Sequence, residues 1–295
     1  MSQLSSRSAS RRKKLRRAAL QAFLITMSVI WVLPIAWAIY TSFRPYDQTA
    51  TYGYVSIAGT YNLDNYVNSF NQGQLPMYFM NTVIILVPAV ILVLFLSSMM
   101  AFTVSRYSWR FNLILLMVFS GANLLPPQVI ITPLFRMYLA IPMFAPLSDN
   151  GILYDQYIGI TLIHVAFQMG FCTFVLSNFM KTIPKELNEA AVVDGANVWT
   201  TYLRVILPLT RPAMAALATL QFTWIYNDFF WAYLLMGTGS KLPITSAISN
   251  LKGQFFVDNN LLAAGSLLVA LPTLIVYFAL QKHFVAGLTL GSTKG

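Results

Sequence analysis

The stretch NEAAVVDGANVWTTYLRVILP, residues 188–208, is a charged, glycine-broken segment in an otherwise apolar chain. Three of the nine acidic residues, Glu186, Glu189 and Asp194, lie in it or just before it. Of the 295 residues, 57% are hydrophobic and only 9% are charged, whereas soluble domains carry about 25% charged residues. This composition is typical of an integral membrane protein, so the stretch is best explained as a loop between membrane spans.

Six runs, uncharged apart from Asp228 in the fifth, have the roughly 20 residues that an apolar helix needs to cross a bilayer. They cover residues 20–43, 75–105, 111–135, 156–180, 212–236 and 261–281. We therefore predict an all-α integral membrane protein of six transmembrane helices. Its transmembrane domain spans 20–282 and includes a cytoplasmic loop at 181–211, between a basic tail at 1–19 and a second tail at 283–295.

The first run permits a second interpretation, because a basic start and an Ala-Trp-Ala sequence at 36–38 also fit a cleaved signal peptide. Signal peptides have a shorter apolar core, of roughly 7–15 residues. Proline and tryptophan at the end of the run, Pro34 and Trp37, also fit the end of a span better. A retained first span is the favoured prediction.

Lysine and arginine are unevenly divided between the loops. With the N-terminus in the cytoplasm, fifteen of the nineteen basic residues lie on the cytoplasmic side and four lie outside, as the positive-inside rule favours. The sequence thus predicts a multi-pass membrane protein, with both termini and the 181–211 loop in the cytoplasm. Seven basic residues in the first seventeen are then a topology and lipid signal, and nucleic-acid binding is a poorer interpretation.

The 181–211 loop contains the start and stop signals of two short helices. Pro184 suits the first position of a helix, and Gly195 suits the left-handed residue that ends one. Asn197 can cap a second helix, which Pro208 and Pro212 should close. The loop is therefore predicted to be a helix–turn–helix on the cytoplasmic face.

Each predicted short helix has two faces. In the first helix, Ala190 and Ala191 form a shallow strip that allows close approach of another surface, with Glu189 beside it. In the second helix, one apolar side is expected to anchor the loop and the other to face away. The apolar side holds Trp199, Tyr202, Leu203 and Ile206, and the opposite side holds Thr200, Thr201 and Arg204.

The order of residues in this loop resembles that of a known family. Glu189-Ala190-Ala191, then Gly195, then Val205 with Leu207-Pro208, is similar to the EAA–G–(nine residues)–I–LP loop of binding-protein-dependent ABC importer permeases. Val205 replaces the usual isoleucine. Residues 183–187 (IPKEL) and 194–196 (DGA) are similar to the carbohydrate branch of that family, and residues 224–229 (WIYNDF) to the fifth span of these permeases. Residues 41–45 (TSFRP) and 287–295 (GLTLGSTKG) resemble the maltose-type second permease subunit.

The resemblance implies a type I ABC importer permease fold and a role for the EAA loop (residues 181–211) in docking onto a separate ATPase subunit. The residues implied in coupling are Glu186, Glu189, Ala190, Ala191, Asp194, Gly195, Leu207 and Pro208, with Lys294 and Gly295 of the tail as further candidates. The implied partners are a second permease, two ATPase subunits, an extracellular or lipid-anchored solute-binding protein and membrane lipid, with no nucleic acid.

Nucleotide chemistry is expected from those partners. The chain has no G-x-x-x-x-G-K-[ST] phosphate loop, and its nearest string, GTGSK at 237–241, has the wrong spacing. We expect a non-catalytic subunit without a cofactor of its own, with ATP and Mg²⁺ bound by the ATPase subunits. No metal site is predicted, since Cys172 is the single cysteine.

Polar residues inside the predicted spans are candidates for the substrate path, because such groups are costly in lipid. Helical spacing places Gln221, Trp224, Asn227, Asp228 and Trp231 on one side of the fifth span. His164 and Gln168 share a face of the fourth span. Aromatic rings beside amides and a carboxylate suit sugars, but a packing or gating cluster explains the same residues, and a lone buried histidine is more often structural than a ligand.

The function that this resemblance implies is import of a sugar, an oligosaccharide or disaccharide, across the bacterial plasma (inner) membrane, driven by ATP. A glycerophosphate-type or other non-sugar solute is the alternative within the same class. An ion-coupled carrier needs ionisable residues in several spans, whereas these spans hold one acid and one histidine. A membrane-embedded enzyme would need a catalytic cluster, and none is recognisable. The 140–157 segment reads longer than is usual in the family.

Overall fold

The computed structural model describes residues 2–57, 59–122, 126–251 and 257–289. Within these ranges the regular structure is helical and the β-structure is one isolated bridge, between Pro142 and Ile152, so the predicted all-α class is confirmed. The α-helices, in chain order, are α1 (Ser2–Ser42), α2 (Tyr46–Tyr52), α3 (Asp64–Gln72), α4 (Leu75–Arg106), α5 (Asn112–Ala122), α6 (Ile131–Ala140), α7 (Tyr157–Met180), α8 (Glu186–Val193), α9 (Val198–Tyr226), α10 (Phe230–Leu235), α11 (Ile244–Ala247) and α12 (Asn259–Thr289).

Five described helices are long and apolar enough to cross a membrane by length and composition. They are Lys13–Ser42, Leu75–Arg106, Tyr157–Met180, Val198–Tyr226 and Asn259–Leu280. Each overlaps one of the six predicted runs. The described residues contain no helix of this length at the third run, so the count of six spans is not confirmed there. Backbone hydrogen bonds in a helix are satisfied within the segment, which is why helices are suited to lipid.

The third predicted run, 111–135, is divided. Helix α5 ends at Ala122, a 3₁₀ turn covers Pro127–Ile130, and α6 begins at Ile131. Two consecutive prolines, Pro126 and Pro127, lack the N–H groups that a continuing helix needs and restrict the residue before them. The apolar run therefore forms two shorter helices in the described residues.

The fifth predicted run, 212–236, is wrong at both ends. Helix α9 begins at Val198 and continues through Pro208 and Pro212, which were expected to end it. A π-helical turn at Thr201–Ile206 precedes the prolines, and such turns occur as short interruptions within α-helices. The helix stops at Tyr226, so the rest of the run belongs to α10.

The chain divides into two compact units, Met1–Gly73 with Asn250–Leu268, and Gln74–Ser249 with Val269–Gly295. In the first unit, Arg44 is fully buried just after α1. Its guanidinium donates to the carbonyl of Tyr54 at 2.9 Å and to Oγ of Ser56 at 2.8 Å. The Arg44 carbonyl accepts from the side-chain amides of Asn65 and Asn260. Because a buried charge needs partners, Arg44 organises the chain that follows α1.

In the second unit, α4, α7 and α9 share one buried core. One stripe of α4, with a spacing of four residues, is fully buried and is formed by Ala89, Val93, Ser97 and Ala101. Oγ of Ser97 donates to the carbonyl of Met169 in α7 at 3.1 Å. Small side chains let helix backbones approach closely, and this packing, rather than exclusion of water, associates helices in lipid.

Candidate functional site

The first helix of the EAA loop, α8, ends in a Schellman motif. Gly195 has a φ of +80°, the left-handed conformation expected from the sequence. Its N–H donates to the carbonyl of Val192 at 3.0 Å, and the N–H of Ala196 donates to the carbonyl of Ala191 at 2.9 Å. The turn therefore fixes the direction in which the chain leaves α8.

The predicted alanine strip is only partly exposed. Ala191 is 8% exposed, and α8 packs against the π-helical turn of α9. Ala190 and Glu189 are exposed, and Val193 is 87% exposed. The prediction that both alanines form one accessible surface is wrong, because consecutive helical residues point about 100° apart. Glu186 and Asp194 are also exposed, so the accessible face of α8 is acidic and apolar.

The second helix of the EAA loop begins as expected, since Oδ1 of Asn197 accepts the N–H of Thr200 at 2.8 Å. Tyr202 and Ile206 are buried, as predicted for the anchoring side. Thr201 was expected to face away and is instead 2% exposed. The π-helical turn changes the angular spacing of these residues, so an α-helical wheel misplaces Thr201. Leu207 and Pro208 are half-buried and continue the same helix.

The predicted polar face of the fifth span is not continuous. Because α9 ends at Tyr226, the residues on either side of residues 227–229 do not share a helical face. Gln221 and Trp231 are buried, whereas Trp224 and Asn227 are exposed. Nε2 of Gln221 lies 3.0 Å from Sγ of Cys172.

Asp228 lies at this break in the helix. Its carboxylate accepts the N–H groups of Trp231 and Ala232 at 3.3 and 3.2 Å, which caps α10. Nε2 of His164, a buried residue of α7, lies 3.7 Å from Oδ2 of Asp228. The hydroxyl of Thr245 donates to the Asp228 carbonyl.

The sequence named His164 and Asp228 separately and did not predict that they meet. It offered no signal for Thr245, which comes from a different part of the chain. Gln168, one turn beyond His164, is half-buried. We call His164, Asp228 and Thr245 the break cluster. Their contacts hold the chain at the interruption between α9 and α10 and place a carboxylate beside an imidazole.

A second polar site joins the 140–157 segment to residues 237–241. Asp155 is 8% exposed and has a φ of +63°. Its carboxylate accepts the N–H groups of Gly237 and Thr238 at 2.8 and 3.0 Å and the Thr238 hydroxyl at 2.5 Å. Nζ of Lys241 donates to the Asp155 carbonyl at 3.0 Å. We call these residues, Asp155, Gly237, Thr238 and Lys241, the clasp, because their contacts hold the two segments together. The sequence pattern indicated the length of the 140–157 segment but did not predict this contact.

Lys241 also gives the clasp a pH dependence. Its Nζ lies 2.6 Å from Oδ2 of Asp149, and this hydrogen bond, followed by that from Gln156, lowers the pKa of Asp149 from 3.8 to about 2. Because the folded-state pKa is depressed, the stabilisation is complete above pH 3.8 and is lost as the pH falls through about 2.

We expect Lys241→Met to reduce the loss of thermal stability of the purified protein between roughly pH 4 and pH 2.5. The reason is that the largest cause of the lowered Asp149 pKa is then removed, so the folded-state pKa lies closer to that of the unfolded chain. Lys181→Met removes an exposed lysine of the EAA loop and serves as the control. Identical pH profiles for wild type and Lys241→Met would contradict the assignment.

Two predicted tail residues, Lys294 and Gly295, lie outside the described residues. Among the residues that are described, no group of three or more His, Cys, Asp or Glu side chains could hold a metal ion.

Comparison with known proteins matches residues 93–289 to the family model of the binding-protein-dependent transport system inner membrane component. The chain is 27% identical to the maltodextrin transport system permease protein of Bacillus subtilis, over 97% of this chain and 99% of that protein. It is 29% identical to the trehalose transport system permease protein of Mycobacterium tuberculosis, over 95% of this chain and 99% of the relative.

A solved structure has the same fold. It is the crystal structure of a bacterial ABC transporter involved in import of the acidic polysaccharide alginate, with a TM-score of 0.77 and 18% identity, over 93% of this chain and 98% of that chain. The family match covers more than half of the chain and includes α7, the EAA loop, α9 and α12 to Thr289. The chain therefore belongs to the family of binding-protein-dependent transport system inner membrane components.

Proposed function

We propose that this protein is the permease subunit of an ATP-driven importer of an oligosaccharide or disaccharide. It forms the translocation path with a second, homologous permease, and two ATPase subunits bind ATP and Mg²⁺ and drive its movement. A solute-binding protein delivers the sugar from outside. The observation that carries this proposal is an exposed helix with the EAA pattern, in a chain that aligns almost end to end with maltodextrin and trehalose permease proteins.

The contact with the ATPase subunits is assigned to the exposed face of α8. Glu186 and Glu189 present two carboxylates in its first turn, and Val193 presents an apolar side chain at its end. An acidic and apolar face suits a cleft with basic residues at its edge, because charge complementarity fixes the register of docking. The tail residues Lys294 and Gly295 are secondary candidates for the same contact.

The substrate path is assigned to the neighbourhood of the break cluster. Trp224 is 43% exposed and its ring lies 5.4 Å from that of Phe171, which gives a stacking surface for the C–H face of a sugar. Asn227 is exposed beside it, and an amide can donate to and accept from hydroxyl groups. Gln221 and Trp231 are buried in this structure and support the path rather than line it.

The orientation follows from the basic residues of the loops. Both termini and α8 lie in the cytoplasm, where ATPase subunits have access to ATP, and the Asp155 clasp lies on the opposite side. This orientation supports a contact between α8 and the ATPase subunits.

Reconstitution tests the proposal. The permease is co-expressed with a second permease and the ATPase subunits, purified as a complex, placed in proteoliposomes and supplied with the corresponding binding protein. Uptake of radiolabelled maltotriose, trehalose and glycerol 3-phosphate is then compared with and without ATP. We expect co-purification of the ATPase and ATP-dependent uptake of a sugar. Uptake of glycerol 3-phosphate alone would overturn the sugar assignment, and uptake by the chain alone along an ion gradient would overturn the importer.

A further inference from the structure

Arg106, the last residue of α4, holds the entry of the EAA loop. Its Nη2 donates to the carbonyl of Met180 at 3.0 Å and its Nη1 to the carbonyl of Ile183 at 3.1 Å. Met180 is the last residue of α7, and Ile183 lies just before α8. The end of a helix has carbonyls without helical partners and a partial negative charge, both of which favour a cation there.

Tyr202 of α9 holds the exit of the same loop against α4. Its hydroxyl lies 2.7 Å from Oγ of Ser98. Since Ser98 already donates to the Phe95 carbonyl at 2.8 Å, the tyrosine is the donor in this pair. The Tyr202 ring also lies 5.3 Å from the ring of Phe102. Tyr202 is 1% exposed, so this contact is fully enclosed.

Ser98, Phe102 and Arg106 follow one another at intervals of four residues on α4. Such residues lie on one face of a helix, and this face contacts the chain on both sides of α8. α8 itself packs on the π-helical turn that carries Tyr202. The last two turns of α4 are thus joined to α8 at its entry and at its exit, without touching the acidic face assigned to the ATPase.

We propose that Arg106 and Tyr202 are positioning residues that make α4 move with the EAA loop, so that ATPase movement reaches the spans through α4 as well as through α9. The inference rests on the proposed coupling role of α8. Arginine is suited to the task because its planar fork reaches two carbonyls at once, whereas lysine offers a point charge. Loss of the Arg106 guanidinium should leave the contact between α8 and the ATPase intact and weaken the transfer of movement to α4.

The test measures sugar uptake and ATP hydrolysis in the same proteoliposomes, with the sugar-loaded binding protein added. Variants are Arg106→Met, Arg106→Lys and Tyr202→Phe, and the matched control is Arg110→Met, which removes an exposed arginine four residues away. We expect Arg106→Met to retain the ATPase subunits and ATP hydrolysis while sugar imported per ATP falls about 5-fold or more, the lower range of typical coupling effects. Arg106→Lys should be intermediate, Tyr202→Phe should show a smaller loss and Arg110→Met should equal wild type.

A purely structural role predicts a different result: less assembled complex, with unchanged sugar per ATP in the complex that remains. That result, or wild-type import by Arg106→Met, would overturn the inference. If the complex with Arg106→Met does not assemble, sugar imported per ATP is compared between wild type, Arg106→Lys and Tyr202→Phe. Unchanged ratios in both variants would overturn the inference. Failure of the coupling role itself would appear elsewhere, as wild-type import by a Glu186→Lys, Glu189→Lys variant of α8.

Discussion

Replacement of Gly195 by valine is expected to stop sugar uptake while the protein remains in the membrane. With a φ of +80° at this position, a β-branched residue is strained, at a cost of about 1–2 kcal/mol for the left-handed conformation. A Cβ atom added at Gly195 meets nothing within 4 Å, so the cost comes from the backbone alone. The strain is relieved by turning the end of α8, and uptake per transporter should fall about tenfold or more.

The matched control for this prediction is Gly195→Asn, because asparagine tolerates the left-handed conformation. It should retain most of the uptake, although its side chain is about as large as that of valine. Uptake and membrane content of both variants are measured in the same vesicles. If valine and asparagine reduce uptake equally, the conformation of the turn is not what matters; if valine transports normally, the coupling assignment fails.

Asp155→Leu is expected to have the largest effect on stability. It leaves the N–H groups of Gly237 and Thr238 and the Thr238 hydroxyl without their acceptor, and each unsatisfied buried group costs about 1–3 kcal/mol. Leucine is also strained at a φ of +63°. Since water satisfies part of this loss at a partly exposed site, we expect the free energy of unfolding to fall by about 3 kcal/mol.

Thermal unfolding of the purified protein measures this effect. Asp155→Asn keeps one acceptor oxygen and a residue that tolerates positive φ, so it should lose clearly less stability. Asp149→Leu removes the exposed neighbouring carboxylate, whose side chain is 64% exposed, and should lower the stability much less than Asp155→Leu, because exposed ion pairs contribute little. Equal effects of Asp155→Leu and Asp149→Leu would refute the role of the clasp.

Much of the fold follows from the sequence, because uncharged runs of span length depend on local composition. Each of the five long helices overlaps a predicted run, although the run for α9 was wrong at both ends. Gly195 and Asn197 adopt the end positions expected of them. The division of the third run was harder to predict, since prolines are also tolerated inside membrane helices. Pro88 lies within the continuous helix α4, whereas Pro126 and Pro127 separate two helices. The chemistry of proline by itself therefore does not show whether a helix continues through it or ends.

The candidate site was predictable in its residue types and not in its geometry. Helical spacing joined Gln221 to Trp231 on one face, but residues 227–229 interrupt the helix and cancel that spacing. The meeting of His164 with the Asp228 carboxylate, and of Thr245 with the Asp228 carbonyl, depends on packing between distant segments. The same holds for the two contacts of Arg106, which reach carbonyls more than seventy residues away.

The π-helical turn at Thr201–Ile206 has a consequence for the whole of α9. A turn in which the N–H of Leu207 donates to the carbonyl of Tyr202 contains one residue more than an α-helical turn. An extra residue rotates everything after it by about 100°. The side chains of α9 beyond the turn on which α8 packs therefore point about 100° away from where an uninterrupted α-helix would place them.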